Sequence, residues 1–383
     1  MELADIPLID HHAHNILKPE IFSEYSYSAA FTEGDRPSIV NYHGRQTLCY
    51  RRSLRDIAAL LDCEPTETEI LQQRQKLGLE KLTELCLSRA NIETILLDDG
   101  FLAEEIFPLE WHQKFLPVRR LLRLEKLAET LFEKADSFEK FVNEFHTQLT
   151  NLPTSVVGFK SIAAYRTGLA IQSVPEKEAQ SYFYSIKDGN SDSLSAAVPK
   201  SPFRLTNKSL IDFLLSIALE IANKSQIPVQ FHTGFGDPDL DLFLANPLHL
   251  RPILEDSRYG DVPIVLLHAS YPYTREAGYL ASVYPQVYLD FGLAVPLLSV
   301  SGMRETLRIL LELAPTSKIM YSSDSNLIPE LYYLGSRWGR KVLAQVLTEA
   351  ISDGDLTARQ AEEIARSILR ENALNLYQLR SKI

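Results

Sequence analysis

The sequence is poor in cysteine, in positive charge and in long apolar runs, and each shortage closes off a class of function. Only three cysteines occur in 383 residues. Cys49, Cys63 and Cys86 show no C-x-x-C spacing, so they predict neither a zinc module nor a disulfide framework. Reduced thiols of this kind fit a cytoplasmic protein. The formal net charge is −11. That argues against a nucleic-acid partner, whose phosphates require a basic surface, and against binding to anionic lipid. A small-molecule substrate stays compatible, because a local basic pocket can sit in an acidic protein. No apolar run approaches the ~20 residues of a membrane span. The run from Leu214 to Ala222 is broken by Glu220. The acidic start, Met1-Glu2-Leu3-Ala4-Asp5, lacks an apolar h-region and predicts no signal peptide.

What is present is the composition of a protein with a large core, 45% hydrophobic and 23% charged. No repeat of fixed sequence occurs. Short β-rich runs alternate instead with helical stretches. The expected strands are Pro7–His11, Thr94–Leu97, Pro117–Leu122, Val156–Ser161, Pro228–His232, Pro263–His268, Val287–Phe291 and Lys318–Ser322. Several are continuous apolar runs such as Ile264-Val265-Leu266-Leu267, as expected of strands buried on both faces of a parallel sheet. Helical patterns follow most of them, for example Ser209–Asn223, Met303–Leu313 and Arg340–Ser352. The alternation predicts an α/β fold, a TIM (β/α)₈ barrel, as one domain over residues 1–383. Residues 19–88 fall between the first two strands and carry the patterns Ser53–Leu61 and Glu67–Ser88, which predicts a helical insertion. Ser181–Pro202 is polar and turn-rich, expected as a loop excursion after the fourth strand. Ala358–Tyr377 reads as a closing helical region.

Chemistry-bearing residues gather at the expected strand ends. The first strand runs into His11-His12-Ala13-His14. Alternation places His12 and His14 on one face, with His11 turned away. His232 closes Val229-Gln230-Phe231, His268 closes Val265-Leu266-Leu267, and Asp324 follows Tyr321-Ser322-Ser323. A single histidine at such a place is usually structural. Four histidines and an aspartate at the C-terminal rim of one barrel, where barrel active sites lie, are better explained by one shared cation. Imidazole and carboxylate donors suit Zn²⁺, with Mn²⁺ or Fe²⁺ as alternatives.

Lys160 ends the fourth strand, and three readings stay open for it. It is a carbamate bridging two metals, an ammonium that neutralises an anionic substrate group, or a plain ion-pair partner. The metal count, one or two, depends on which holds. Candidate substrate contacts lie just past the strands: Arg166 and Tyr165 after Lys160, Arg123 and Glu125 after the third strand, Arg275 and Tyr273 after His268. An arginine can hold a carboxylate through two parallel hydrogen bonds. For each of these residues the competing reading is an ordinary loop salt bridge.

The ordered set His12-x-His14, His232, His268 and Asp324 resembles the amidohydrolase superfamily, in particular its amidohydrolase 2 branch. The closing segment Glu371-Asn372-Ala373-Leu374-Asn375-Leu376-Tyr377 is similar to that branch's last helix. Gly158-Phe159-Lys160-Ser161-Ile162-Ala163-Ala164-Tyr165-Arg166-Thr167-Gly168-Leu169 resembles the amidohydrolase-like domain of the FluG and nodulin/glutamine-synthetase proteins. The resemblance implies metal-dependent hydrolysis of an amide or ester-like bond, with Asp324 handling the proton of the attacking water. His268 would bind a second metal or polarise the substrate carbonyl. Because the branch also holds decarboxylases with a similar metal site, a lyase reaction on a small acid is the alternative. A barrel without catalysis, serving as a binding protein, is the third reading, and the intact ligand set argues against it. A homo-oligomer is compatible with all three.

Overall fold

The computed structural model describes residues 1–188 and 203–379. Eight parallel strands pair in strict chain order. They are β1 (Leu8–Ala13), β2 (Ile92–Asp98), β3 (Val118–Arg123), β4 (Val156–Ser161), β5 (Val229–Phe231), β6 (Ile264–Leu266), β7 (Val287–Asp290) and β8 (Ile319–Met320). Beyond β8 the chain returns to β1. His11 N donates to Tyr321 O at 3.4 Å, Asp324 N to His12 O at 3.1 Å and His14 N to Ser325 O at 2.7 Å. Helices flank this sheet, and the result is the TIM barrel that the alternation of runs predicts. Every residue of β1, β4, β5 and β6 is buried, and β6 accordingly reads as an unbroken apolar run, while the others carry polar residues that the barrel encloses.

The two ends of the barrel differ. At the start of the strands, Ile9, Leu96, Leu121, Val157, Val265 and Met320 pack against Ala373, Leu374, Tyr377 and Leu379 from the C-terminal segment, which plugs that end. At the other end the strands run out into loops that stay polar, and the site forms there.

The insertion between β1 and β2 is helical, as expected, with a finer division than the pattern showed. Glu67–Ser88 is two helices, Glu67–Leu77 and Leu79–Ala90, broken at Gly78, whose φ of 74° lies in the left-handed region. Thr47 and Thr66 cap the first two long helices by accepting from Tyr50 N and Glu69 N. Arg74 ties the insertion down. It lies 3.2 Å from Glu330 of the helix Glu330–Asp353, with the rings of Phe22 and Tyr27 at 4.5 and 4.4 Å. Of the polar excursion expected at Ser181–Pro202, the first part belongs to the helix Glu176–Lys187, and residues 189–202 lie outside the described residues.

Candidate metal centre

The strand ends deliver the predicted side chains to one place by local irregularities. In β1 the register with β2 slips between Asp10 and Ala13, so that strict alternation fails at the histidines. His12 and His14 reach the rim, their ring centroids 5.1 Å apart. His11 does not turn away from the barrel, as simple alternation predicts. It faces the interior one layer lower, with Nδ1 3.2 Å from Tyr377 Oη and Nε2 3.3 Å from Asp290 Oδ2. The bulge supplies the physical reason, since an extra residue shifts every later side chain by half a period.

His268 sits at the start of a turn in which His268, Ala269 and Ser270 all have positive φ, at 65°, 51° and 48°. Such backbone is costly for residues with a Cβ and persists only where surroundings hold it. Asp290 Oδ1 accepts from His268 N at 2.5 Å, and Thr233 Oγ1 donates to Leu267 O at 2.6 Å. The facing residue is Gly234, where a Cβ would lie 2.4 Å from Ser270 C and from Tyr271 O. Only glycine lets the two turns approach this closely.

Among the described residues, His12, His14 and Asp324 each offer a ligand atom within 4.8 Å of the others. His12 Nε2 is 3.1 Å and His14 Nε2 3.4 Å from Asp324 Oδ1, and His268 Nδ1 is 3.8 Å from Oδ2. His232 stands beside His268, ring centroids 4.4 Å apart, with its Nε2 3.0 Å from Phe235 O, which leaves Nδ1 for a ligand. His14 Nδ1 lies 3.0 Å from Asp98 O, so a proton held there leaves Nε2 with its lone pair free. Burial pushes His12 down to about 3, with the Lys160 charge adding to it, and His268 down to about 4. Neutral imidazoles are the form that binds a cation. Burial alone would raise the Asp324 carboxyl, but His268, His12 and His14 outweigh it and hold the group well below its usual range.

The donor set fits a divalent ion on a structural criterion. His12 Nδ1 and Nε2, His268 Nδ1 and Asp324 Oδ1 are buried atoms with no hydrogen-bond partner among the described residues. Leaving so many polar atoms unsatisfied in a packed barrel is expensive, and one cation would engage several of them together.

Lys160 is 2% exposed and makes no hydrogen bond or ion pair among the described residues. Burial pulls its amine down to about 8, against the attraction of Asp98 and Asp324. With His12, His14, His232, His268 and Asp324 it lines a pocket of about 600 Å³ at the rim.

The substrate-contact candidates divide. Tyr165 and Arg166 line the pocket; the Tyr165 ring is 4.5 Å from that of His232, and Arg166 pairs with Glu129 at 3.0 Å. Arg123 also lines it, but both its Nε and Nη2 are spent on Asp98, at 2.6 to 3.1 Å. Glu125 is buried and accepts from Ser161 Oγ at 2.7 Å. Arg275 is not brought to the site. It is 64% exposed on the helix Thr274–Val283 and pairs with Glu312. The turn after His268 carries the chain outward before that helix begins, so closeness in sequence does not become closeness in space. Sequence reading missed Glu33, Asp98, Lys126, Glu129 and Arg204 in this neighbourhood. Asp98 was detectable, since it ends β2 as His232 and His268 end their runs. Glu33 comes from an irregular loop with no periodic signal.

Known proteins resemble this chain over most of its length. Residues 209–379 match the family described as amidohydrolase. Protein fluG of Emericella nidulans is 32% identical over 406 residues, covering 97% of this chain and 46% of that protein. The chain thus spans about half the length of this curated relative. A solved structure from Lactobacillus casei, provisionally designated a metal-dependent hydrolase, superposes with a TM-score of 0.86 at 28% identity, covering 99% of this chain and 97% of that one. Uronate isomerase from Thermotoga maritima shares the fold, with a TM-score of 0.68 at 16% identity over 98% of this chain and 95% of its own.

Proposed function

The chain belongs to the amidohydrolase superfamily, and from that premise we propose that it is a metal-dependent hydrolase cleaving the C–N bond of a small, carboxylate-bearing amide. The observation that carries the reading is the set of ligand atoms on His12, His268 and Asp324 that face one another without a hydrogen bond among the described residues, in a pocket that also holds cationic side chains. His12, His14 and Asp324 would hold the ion, with His232 and His268 beside them; Zn²⁺ suits this mixture of imidazole and carboxylate. A bound divalent ion supplies Lewis acidity and lowers the pKa of water toward ~7. Asp324, kept ionised by its histidine neighbours, takes the proton of the attacking water and returns it to the leaving nitrogen. His268, neutral and wedged by its strained turn, polarises the substrate carbonyl. The substrate carboxylate lies against Arg166 and Lys126. Arg166 Nε is buried without a partner, and Lys126 has no ion pair among the described residues. Tyr165 closes the wall over His232.

Lys160 favours a second reading, decarboxylation of a small acid. Its amine lines the site with no hydrogen bond or ion pair among the described residues, and as an ammonium it can hold a carboxylate beside the ligands. One experiment separates the two. Purified, metal-analysed protein is offered N-acyl and γ-glutamyl amides on one side and small hydroxylated aromatic acids on the other, with amine and CO₂ release measured in parallel. Amine release without CO₂ is expected. CO₂ release alone would replace the hydrolase with the lyase, and full activity in metal-free protein would remove both.

A further inference from the structure

The pocket is not uniformly cationic. Glu33, from the loop that follows the short helix Tyr27–Phe31 in the insertion, enters its lining together with Asp237 from the loop after β5. Glu33 is half-buried, yet it makes no hydrogen bond and no ion pair among the described residues. Burial pushes its carboxyl up to about 8, and the charges that act on it, Asp237 and Asp324, are both acids. Asp237 stands at the exposed mouth of the same pocket, its carboxyl raised by partial burial and then by Asp239 and Asp324. Its backbone N donates to Tyr165 Oη at 3.3 Å, which fixes the loop but leaves the carboxylate unpaired. Asp239, by contrast, is already paired with Arg204 at 2.5 Å.

The same lining holds cations. Arg166 feels Glu129 first, then Arg204, Glu125 and Arg123. Lys126, Arg166 and Arg204 are thus cations of the lining, Arg204 already committed to Asp239, while Glu33 and Asp237 are acids of the same lining with no ion pair among the described residues. Lys160, 2% exposed and without a hydrogen bond among the described residues, lines the same space and marks it as a place built for a ligand rather than a solvated rim. A carboxyl half-desolvated without a counter-charge is held as the neutral acid, and a ligand that brings the missing cation lets it ionise and pair on binding.

We infer that Glu33, supported by Asp237, selects substrates bearing a protonated amine, so that the pocket receives a zwitterion: its carboxylate at Arg166 and Lys126, its ammonium at Glu33. The inference rests on the carboxylate-bearing substrate proposed above and adds the second charge. It also gives the insertion a purpose, since residues 19–88 would place a specificity-determining residue over the barrel rim.

The test needs no turnover. Binding of unbranched ω-amino acids, from 4-aminobutanoate to 6-aminohexanoate, is measured calorimetrically against the alkanoate of matching chain length. The matched pairs cancel whatever the carboxylate contributes. At least one ω-amino acid should bind about tenfold tighter than its partner, and Glu33→Gln with Asp237→Asn should bring that ratio to about two or less. Equal binding of both classes by the unaltered protein overturns the inference, whatever the variants do. So does a preference that survives in the double variant, or a second equivalent of bound metal that disappears with Glu33→Gln, which would make the acids a cation site. A chain that cleaves amides yet ignores the ammonium would sink this inference alone. A chain that prefers the ammonium yet cleaves no amide would sink only the reaction.

Discussion

His11 and His12 are neighbours in sequence and both wholly buried, yet they belong to different kinds of protein interior. His11 lies in a sealed layer. Gln230 Nε2 donates to His11 O at 2.8 Å and reaches Tyr377 Oη at 2.8 Å, while Asp290 accepts from His268 N and from Ser322 Oγ, each at 2.5 Å. None of His11, Gln230, Asp290 or Tyr377 lines the rim pocket. His12 lies one layer up and opens onto that pocket, and among the described residues neither of its ring nitrogens has a hydrogen bond, whereas His11 lacks one only at Nε2. Two polar layers at similar depth thus differ in how their atoms are spent. The lower one uses hydrogen bonds to hold the barrel and the His268 turn. The upper one withholds more of them, though His11 Nε2 and Gln230 Oε1 in the lower layer are also without a hydrogen bond among the described residues, and that surplus is what a site needs to have capacity for a ligand. Burial of a histidine says little about function; the partners of its nitrogens say more.

The sharpest way to break this contrast is at Asp324. Asp324→Asn keeps the shape but removes the base, and turnover should fall by about two to four orders of magnitude. Steady-state kinetics with metal content measured on the same sample checks it. Unchanged turnover would move the proton-handling role elsewhere and leave the upper layer without its central member.

Metal removal comes next in size. Chelation should destabilise the protein, because an ion that binds only the folded chain adds about 2.7 kcal/mol when present at a hundred times its dissociation constant. Thermal unfolding before and after chelation, with zinc restored in a third sample, reads this directly. A melting temperature indifferent to chelator and to added metal would mean that the orphaned nitrogens of His12 and His268 are not waiting for an ion.

The same contrast extends to the arginines. Arg166→Ala should raise KM for a carboxylate-bearing substrate about tenfold with a smaller change in kcat, since it removes a contact shared by ground and transition states. Arg275→Ala, on an exposed pair with Glu312, should leave KM and stability within error. Equal effects from the two would show that pocket position does not decide which arginine meets the substrate.

These particulars also mark what the sequence discloses. The barrel was legible because strands buried on both faces leave continuous apolar runs, and all eight expected strands overlap the observed ones. The ligand residues were legible because strand ends converge in a closed barrel whatever the loops do. What escaped was set by backbone detail. The bulge in β1 reversed the expected direction of His11, and no composition rule signals a bulge at Asp10–Ala13. Gly78 divided a helical pattern that periodicity carried straight through. Arg275 followed His268 closely in sequence, but a three-residue turn of positive φ intervenes and sends the chain outward. Glu33 and Lys126 owe their place to packing between distant segments, which a single sequence does not encode locally.

The lower layer supplies the gentlest test and the one most specific to the comparison. Tyr377 is buried, and its hydroxyl joins Gln230 and His11 from the C-terminal plug, 366 residues away from His11 in the chain. Tyr377→Phe keeps the ring and its packing against Ile9 and Leu121 but strands one hydrogen-bonding atom on each partner. A net loss of about 1 kcal/mol is expected, a drop of roughly 1 to 2 °C in melting temperature for a chain of this size. Because the layer does its work through structure, metal content should stay whole and kcat/KM should move by less than about twofold. If instead turnover fell a hundredfold while stability held, the network would be transmitting something to His268 through Asp290, and the line drawn between a structural layer and a chemical one would lie in the wrong place.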